Sequence, residues 1–596
     1  MEVNLSSEIQ WREWSDEAFE QAEREGKLVL LDIYASWCHW CHAMDRTTYS
    51  HPEVIRMVNE SFIPIKVNAD RRPDIQDRYL LGGWPTTAFL LPDGRILTGT
   101  TFIPPEAMIQ KIKDVDMLFH EQKPVVTMHV TSMAAEAEVE RADAEAEVTG
   151  VLDSGIISSL IQAVKQGFDP VHGGFSAEPK FPNPDAVSFA FLQYRKTGDR
   201  DMLDMALKTL DGMMGIYDPV WGGFYRYSID AEWKHPHHEK MLYVQAGLMD
   251  NYLEAYQVTG DDKYGETAAG IKAYVTRFLS DRGKGGFYGS QDADVVSHDP
   301  NAQLMPGEEY YSKSERERLV IGMPDTDKTI YTDWNGQMIS AYLHLYQAME
   351  DEHARDFALK TINRILDENM HYNMMCHYYN QLPGMLSDQV YFAQALADAY
   401  QSTGDRKYLA DAEKLAGFMV AQLQDVVDGG FYFTIYNPHA KGELAERHKP
   451  FDENVAAAQL LTQLHYLTGY QTYRELAERT LKSIAYPQIA ESVVGVGFGR
   501  VLDLFLSHPV HIVVVGMRSD KQTQQMLKTS LHTYEPLKLV QVLDPKESPL
   551  TIGELTYEAK EEPLAYVCVR NVCRQPVNGS EDLVTVLGDV LGEVSS

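Results

Sequence analysis

The sequence predicts a three-part chain: an N-terminal α/β domain, a central all-α ring of the (α/α)6 toroid type, and a small C-terminal α/β domain. Three observations predict it. Short apolar runs between turns fill residues 1–125, helical periodicity with a recurring turn occupies 151–508, and strand-like runs return over 509–596. At roughly 100–200 residues per domain, a length of 596 excludes one compact domain.

In the first part, Leu28 to Tyr34 reads as a strand buried on both faces, and Ile63, Ile65 and Val67 alternate as a second. Phe89 to Leu91, the Pro92-Asp93-Gly94 turn and Arg95 to Thr98 read as a hairpin. The Ala- and Glu-rich residues 126–150 are expected to be a linker or a solvated helix.

Within 151–508 one turn recurs: Thr197-Gly198-Asp199, Thr259-Gly260-Asp261, Thr403-Gly404-Asp405 and Thr468-Gly469-Tyr470, with Met349-Glu350-Asp351 a degenerate copy. Glycine ends one helix there and the aspartate caps the next. A second element alternates with it, at Gly173-Gly174-Phe175, Gly222-Gly223-Phe224, Gly285-Gly286-Phe287 and Gly429-Gly430-Phe431. About twelve helices are expected, in hairpins closed into a ring. Because helix direction alternates, the short turns are expected on one rim and the Gly-Gly-Phe loops on the other, where the chemistry is expected to lie.

After Pro509, His511 to Val515 and Leu537 to Val542 read as strands, with a helix from Lys521 to Leu531 between them. Cys568 and Cys573, five apart, can bridge only across a turn, and the default reading is two reduced thiols.

The formal charge of −34 disfavours nucleic acid and anionic membrane surfaces as partners. No leader pattern opens the sequence, no apolar stretch is long enough to span a bilayer, and the five cysteines are too few for a disulfide scaffold. A cytoplasmic location is expected.

Trp37-Cys38-His39-Trp40-Cys41 follows a buried strand and opens a helix, which stabilises a Cys38 thiolate at the helix N-terminus. Cys41 is spaced to resolve a mixed disulfide on Cys38, Asp32 is placed to accept its proton, and Trp84-Pro85 is where a cis proline shapes the partner groove. Cys38 to His42 also fits a haem-attachment pattern, but the strand–CxxC–helix order argues against it, and no second CxxC supports a metal site. No cofactor and no metal are expected. These residues resemble the thioredoxin superfamily over Leu28 to Ile103.

In the ring the densest cluster of chemistry-bearing residues is His235, His237, His238 and Glu239, followed by Tyr243. Asp292, Asp294 and Asp452 are expected on the same rim, with Tyr225, Trp334 and Asn335 beside them. Imidazole, carboxylate and aromatic faces together suit acid–base work on a polyol. As catalytic groups His237, Glu239, Asp292, Asp294 and Asp452 are expected; Trp84, Tyr225, His235, His238, Tyr243, Trp334 and Asn335 are expected to bind substrate.

Taken whole, the sequence resembles the thioredoxin-domain family typified by the spermatogenesis-associated thioredoxin-like protein and its bacterial homologues. WCHWCHAM (37–44), GGWP (82–85), GFSAEPKFP (174–182), PHHEKMLY (236–243), DWNG (333–336) and CVRNVCRQPV (568–577) carry the resemblance. It implies a thioredoxin-like domain joined to a six-hairpin toroid of the kind found in glycosidases and in N-acylglucosamine 2-epimerase, and no established reaction.

The leading expectation is an intracellular thiol-disulfide oxidoreductase acting on a protein thiol client. The alternative is a glycoside hydrolase or epimerase acting on a sugar, and the third reading is a scaffold with both sites vestigial.

Overall fold

The computed structural model describes residues 4–122, 150–176, 178–295, 304–570 and 572–594, with positions 126, 128 and 132. Nearly all of the expected 126–150 linker lies outside these residues. Two compact units form, and they do not follow chain order. The first is Met1–Glu147 with Ser290–Asp327 and Thr434–His448; the second is Val148–Gly289, Lys328–Phe433 and Lys449–Ser596. Two segments that chain order assigns to the 151–508 ring are therefore part of the first unit.

The first unit runs α1 (Asp16–Glu25), β1 (Leu28–Tyr34), α2 (His39–Arg46), α3 (Pro52–Ser61), β2 (Phe62–Asn68), α4 (Pro73–Tyr79), β3 (Thr86–Leu90), β4 (Ile96–Thr100) and α5 (Pro105–Glu121). The sheet order is β2-β1-β3-β4, with β1 parallel to β2, antiparallel to β3, and β3 antiparallel to β4. This is the thioredoxin-like arrangement the sequence predicts. Six of the seven β1 residues are buried, as expected of a strand covered on both faces. Trp84–Pro85 is a cis peptide.

The segment Thr434–His448 is fastened to the rest of this unit through its backbone amides. Gly442 N donates to Asp93 O at 2.9 Å, and Glu443 N donates to the hydroxyl of Tyr79, which donates to Gly94 O at 2.8 Å. A Cβ on Gly94, whose φ is +94°, would meet Gly442 N at 2.8 Å, so the approach requires glycine twice over.

In the second unit, the described residues from Ser154 to Leu506 form twelve α-helices, apart from those of the inserted segments. Six of them, starting at Pro184, Leu242, Thr332, Leu386, Phe451 and Val496, contact one another in sequence, and the last returns to the first. Each carries an outer partner. The first helix, Ser154–Gly167, packs on the last, Val496–Leu506, and closes the sixth hairpin. The short turns form as expected: Gly198, Gly260, Gly404 and Gly469 end helices in the left-handed conformation, and Glu350 does so in the degenerate copy.

The Gly-Gly-Phe loops are held through their backbone by side chains of the inner helices. An amide side chain on an inner helix both donates to and accepts from one loop residue: Gln245 with Phe224, Asn335 with Phe287 and Asn454 with Phe431. Gln389 makes the same pair with Met375. Each Gly-Gly turn is also wrapped on an aspartate that pairs with a basic residue, as in Asp218 with Lys240 at 2.8 Å and Asp425 with Lys449 at 2.9 Å. Buried backbone groups must find partners, and these side chains supply them where no regular ladder does.

The C-terminal part carries strands Val510–Val515, Lys538–Leu543, Leu564–Val569 and Val572–Cys573, with helices Lys521–His532 and Ser580–Val594. Val510–Val515 is central, parallel to Lys538–Leu543 and antiparallel to Leu564–Val569, which pairs antiparallel with Val572–Cys573. Order and directions repeat those of β2-β1-β3-β4. Cys568 and Cys573 sit opposite each other on the last two strands and form a disulfide. The expectation of two reduced thiols is corrected: antiparallel pairing of these two strands brings the two residues face to face.

Candidate functional site

Cys38 is the N-cap of α2, and its Sγ accepts the Cys41 N–H at 3.2 Å. The cap position exists because β1 ends in a short turn, with Cys38 N donating to Ala35 O at 3.2 Å, before the helix starts at His39. Both cysteines are free thiols and nearly fully buried. Burial, the hydrogen bond to Cys38 and its charge, and the charge of Asp32 push the Cys41 thiol well above the ordinary range, against the pull of the Ala35 backbone. The inner thiol therefore needs a base.

Asp32, on β1, is that neighbour. Burial pushes its carboxyl up to about 6, against the pull of Lys66, whose Nζ lies 3.2 Å away and also pairs with Asp45 at 2.6 Å. The Tyr49 hydroxyl donates to Asp32 Oδ1 at 3.3 Å. Trp37 donates from Nε1 to Asp70 Oδ2 at 2.8 Å and packs edge-on against Trp84, 5.4 Å between centroids, next to Pro85. Trp84 of the proline loop thus packs on Trp37, the residue before Cys38, and Asp32 acts electrostatically on Cys41.

Asp292 and Asp294 do not join the ring's site. They lie on the segment Ser290–Asp327 of the first unit, and their carboxylates pair with the two histidines of the dithiol helix. His42 Nε2 is 2.8 Å from Asp292 Oδ2, and His39 Nδ1 is 2.6 Å from Asp294 Oδ2. Burial pulls the His42 imidazole down, but the hydrogen bond and charge of Asp292, with Asp294 and Cys38 adding, carry it up to about 9. Burial pushes the Asp292 carboxyl up while His42 draws it back. The acids are themselves fixed: Asp294 N donates to Asp292 Oδ1, Gly307 N donates to Asp294 Oδ1, both at 3.0 Å, and Ala293 N reaches Trp37 O at 3.4 Å.

In the second unit, Glu239 is buried, with Oε1 3.5 Å from His237 Nδ1 and Oε2 without a hydrogen-bond partner. The His237 ring stacks on Tyr227 at 4.4 Å, and Tyr225 meets His238 edge-on at 4.7 Å. Tyr243 packs against Trp334 at 5.1 Å between centroids. Two residues expected in this site are placed otherwise: Asn335 is spent on the Phe287 backbone, and the His235 side chain is 70% exposed and paired with Asp230. Asp452 lies in the first turn of its helix, where burial pushes its carboxyl above the ordinary range and Asp185 adds to the rise.

A buried cluster lies in this unit, Asp333, His377 and Asp388; the sequence places both acids among the rim carboxylates but gives no sign of His377. One ligand atom from each falls within 4.8 Å of the others, a set able to hold a divalent cation. His377 Nδ1 bonds Asp388 Oδ1 at 2.9 Å and lies 3.8 Å from Asp333 Oδ1. Burial pushes the Asp333 carboxyl up to about 6, with His377 pulling it down and Asp388 pushing it further. Asp333 and Asp388 open helices and were visible as such; His377, on the strand Met374–Tyr378, had no neighbouring signal.

The fold and the dithiol geometry define a thioredoxin-like domain attached to a helical toroid. Residues 2–138 match Thioredox_DsbH, a protein family of unknown function (DUF255); residues 187–311 match the N-acylglucosamine 2-epimerase family and 301–489 match glycosyl hydrolase family 76. The chain is 26% identical to spermatogenesis-associated protein 20 of Homo sapiens, over 97% of this chain and 90% of that protein. Over 13% of this chain and 14% of the other, it is 35% identical to the thiol:disulfide interchange protein DsbD of Pseudomonas fluorescens. A solved cellobiose 2-epimerase from Bacillus thermoamylovorans aligns with 55% of this chain and 85% of its own, at 15% identity and a TM-score of 0.43. Among the described residues no helix is long and apolar enough to cross a membrane.

Proposed function

We propose that the first unit is a thiol-disulfide oxidoreductase. The observation that carries this reading is Cys38 Sγ at the head of α2, hydrogen-bonded to Cys41 N–H at 3.2 Å, with Asp32 acting on Cys41. The Cys38 thiolate attacks one sulfur of a partner disulfide; the new S–S bond forms as the partner's bond breaks, and the leaving thiolate takes a proton from water. Cys41 then passes its proton to Asp32 and attacks Cys38 Sγ. The partner's second thiolate leaves, and a Cys38–Cys41 disulfide remains, so the partner is reduced by two electrons and the dithiol is oxidised by two.

The test is reversible cycling of the pair across a graded glutathione series, read by alkylation and peptide mass, together with trapping. Cys41→Ser is expected to accumulate a mixed disulfide on Cys38 and Cys38→Ser to accumulate none. A pair that stays reduced throughout, with both variants like the parent, overturns the reading.

A second reading is favoured by one observation: the unpartnered Glu239 Oε2, buried beside His237 and the Tyr227 ring. It supports a sugar hydroxyl as the missing donor, in a toroid that hydrolyses, epimerises or only binds a carbohydrate. A panel of hexoses and disaccharides that shows neither binding nor turnover, with Glu239→Gln unchanged, removes it. Null results at both sites favour the scaffold.

A further inference from the structure

We infer that Asp292 and Asp294 are positioning residues of the dithiol site, holding His42 and His39 against the loop that carries Cys38. This inference rests on the oxidoreductase reading but adds to it a segment, Ser290–Asp327, that lies far from the dithiol in sequence.

Four observations carry it. Each acid reaches one histidine of α2, at 2.8 and 2.6 Å, so the two pairs are made side by side along one helix turn. Both carboxylates are almost fully buried, although nothing in a first helical turn or a loop requires buried acids at these positions. The acids are built in: Asp292 N donates to Asp325 O at 2.8 Å, the Tyr311 hydroxyl reaches Asp292 O at 3.4 Å, and Val295 and Met305 bridge the two sides of the segment. Ala293, between the acids, bonds Trp37 O, one residue before the attacking cysteine.

The charged and titratable groups facing His42 are Asp292 and Asp294 on the inserted segment and Cys38 at the head of its own helix. A buried carboxylate paired with an imidazole keeps that imidazole cationic, and a cation beside a cysteine favours the thiolate that attacks. Without Asp292, its hydrogen bond and charge no longer oppose burial, and only the charges of Asp294 and Cys38 still favour the cationic form of His42. The pair therefore makes nucleophilic attack at one end of the chain depend on an acid supplied from within the ring's sequence. Asp294 pairs with His39 on the same helix, a contact that is less enclosed.

The test uses the reduced full-length chain and iodoacetamide, with Cys38 labelling followed by peptide mass from pH 5.5 to 9. Asp292→Asn is expected to slow labelling three- to tenfold at pH 7 and to move the rate profile toward higher pH, with Asp292→Glu restoring part of the rate. Asp294→Asn is expected to have a smaller effect, and Asp356→Asn, an exposed acid elsewhere, none. In His42→Gln the profile should shift likewise, and adding Asp292→Asn to it should cost nothing more. His42→Gln also decides the matter if Asp292→Asn fails to fold. Profiles superimposable on the parent in Asp292→Asn, or in His42→Gln where the former does not fold, overturn the inference. Labelling needs no partner, so a chain that shows these shifts but never cycles refutes the oxidoreductase and leaves the positioning role standing.

Discussion

His42 Nε2 lies 2.8 Å from Asp292 Oδ2, a contact between residues 250 positions apart. Because the folded chain holds His42 at about 9 and an unfolded imidazole titrates near ~6.5, protonation favours the folded state. The contribution is full below ~6.5 and is lost as pH rises through about 9. His42→Gln should therefore destabilise the folded chain most at pH 6, by a free energy on the order of 3 kcal/mol. Thermal unfolding of the reduced chain at pH 6, 7.5 and 9.5 checks this, and a deficit that does not shrink with pH contradicts it.

Asp32 should act after the first exchange and not before it. With Cys41 held protonated by burial, Asp32→Asn is expected to leave Cys38 alkylation unchanged while slowing resolution about 10²-fold or more. Single-turnover quenching shows this as accumulation of the mixed disulfide. Equal rates in the variant and the parent would assign the proton to water instead.

Asn335 gives a different kind of prediction. Asn335→Ala strands the N–H and C=O of Phe287 in a buried loop, a loss of roughly 2–4 kcal/mol. Chemical denaturation should register that loss, whereas the affinity of any sugar that binds should be unchanged in the folded fraction. Gln245→Ala and Asn454→Ala should behave alike.

The Cys568–Cys573 bridge closes a loop with a sequence separation of 5, and a loop so short constrains the unfolded chain only modestly. Replacing both cysteines with serine should cost about 2 kcal/mol. Differential scanning calorimetry of the double variant beside the parent measures it, and a loss well above that figure would point to packing by the buried Cys568.

What the sequence made legible was local. Strand β1, the dithiol, the proline loop and the short turns each announce themselves within a few residues, because capping and alternation act over one helical turn or one strand. The ring followed from one short turn recurring between helices. Asp292 and Asp294 looked like polyol ligands because carboxylates near aromatic residues in a loop carry no mark of which unit they will join. Only the long-range pairing with His42 and His39 decides that. Asn335 was misread for the same reason, since a latch and a ligand use the same amide. His377 was silent, its two acid partners being brought to it by helices on either side of its strand.

The ring is closed by Ser154–Gly167 packing on Val496–Leu506, so the first hairpin member to be synthesised waits for the last. At roughly 5–20 residues per second, its apolar face goes uncovered for roughly 15–65 s of translation. The surroundings of the dithiol are likewise incomplete until the stretch ending at Asp327 has left the ribosome, since the carboxylates facing His39 and His42 come from it. Early emergence of Cys38 is thus not early emergence of its finished surroundings, and nascent chains stalled before and after residue 327 would differ in thiol reactivity while carrying the same two cysteines.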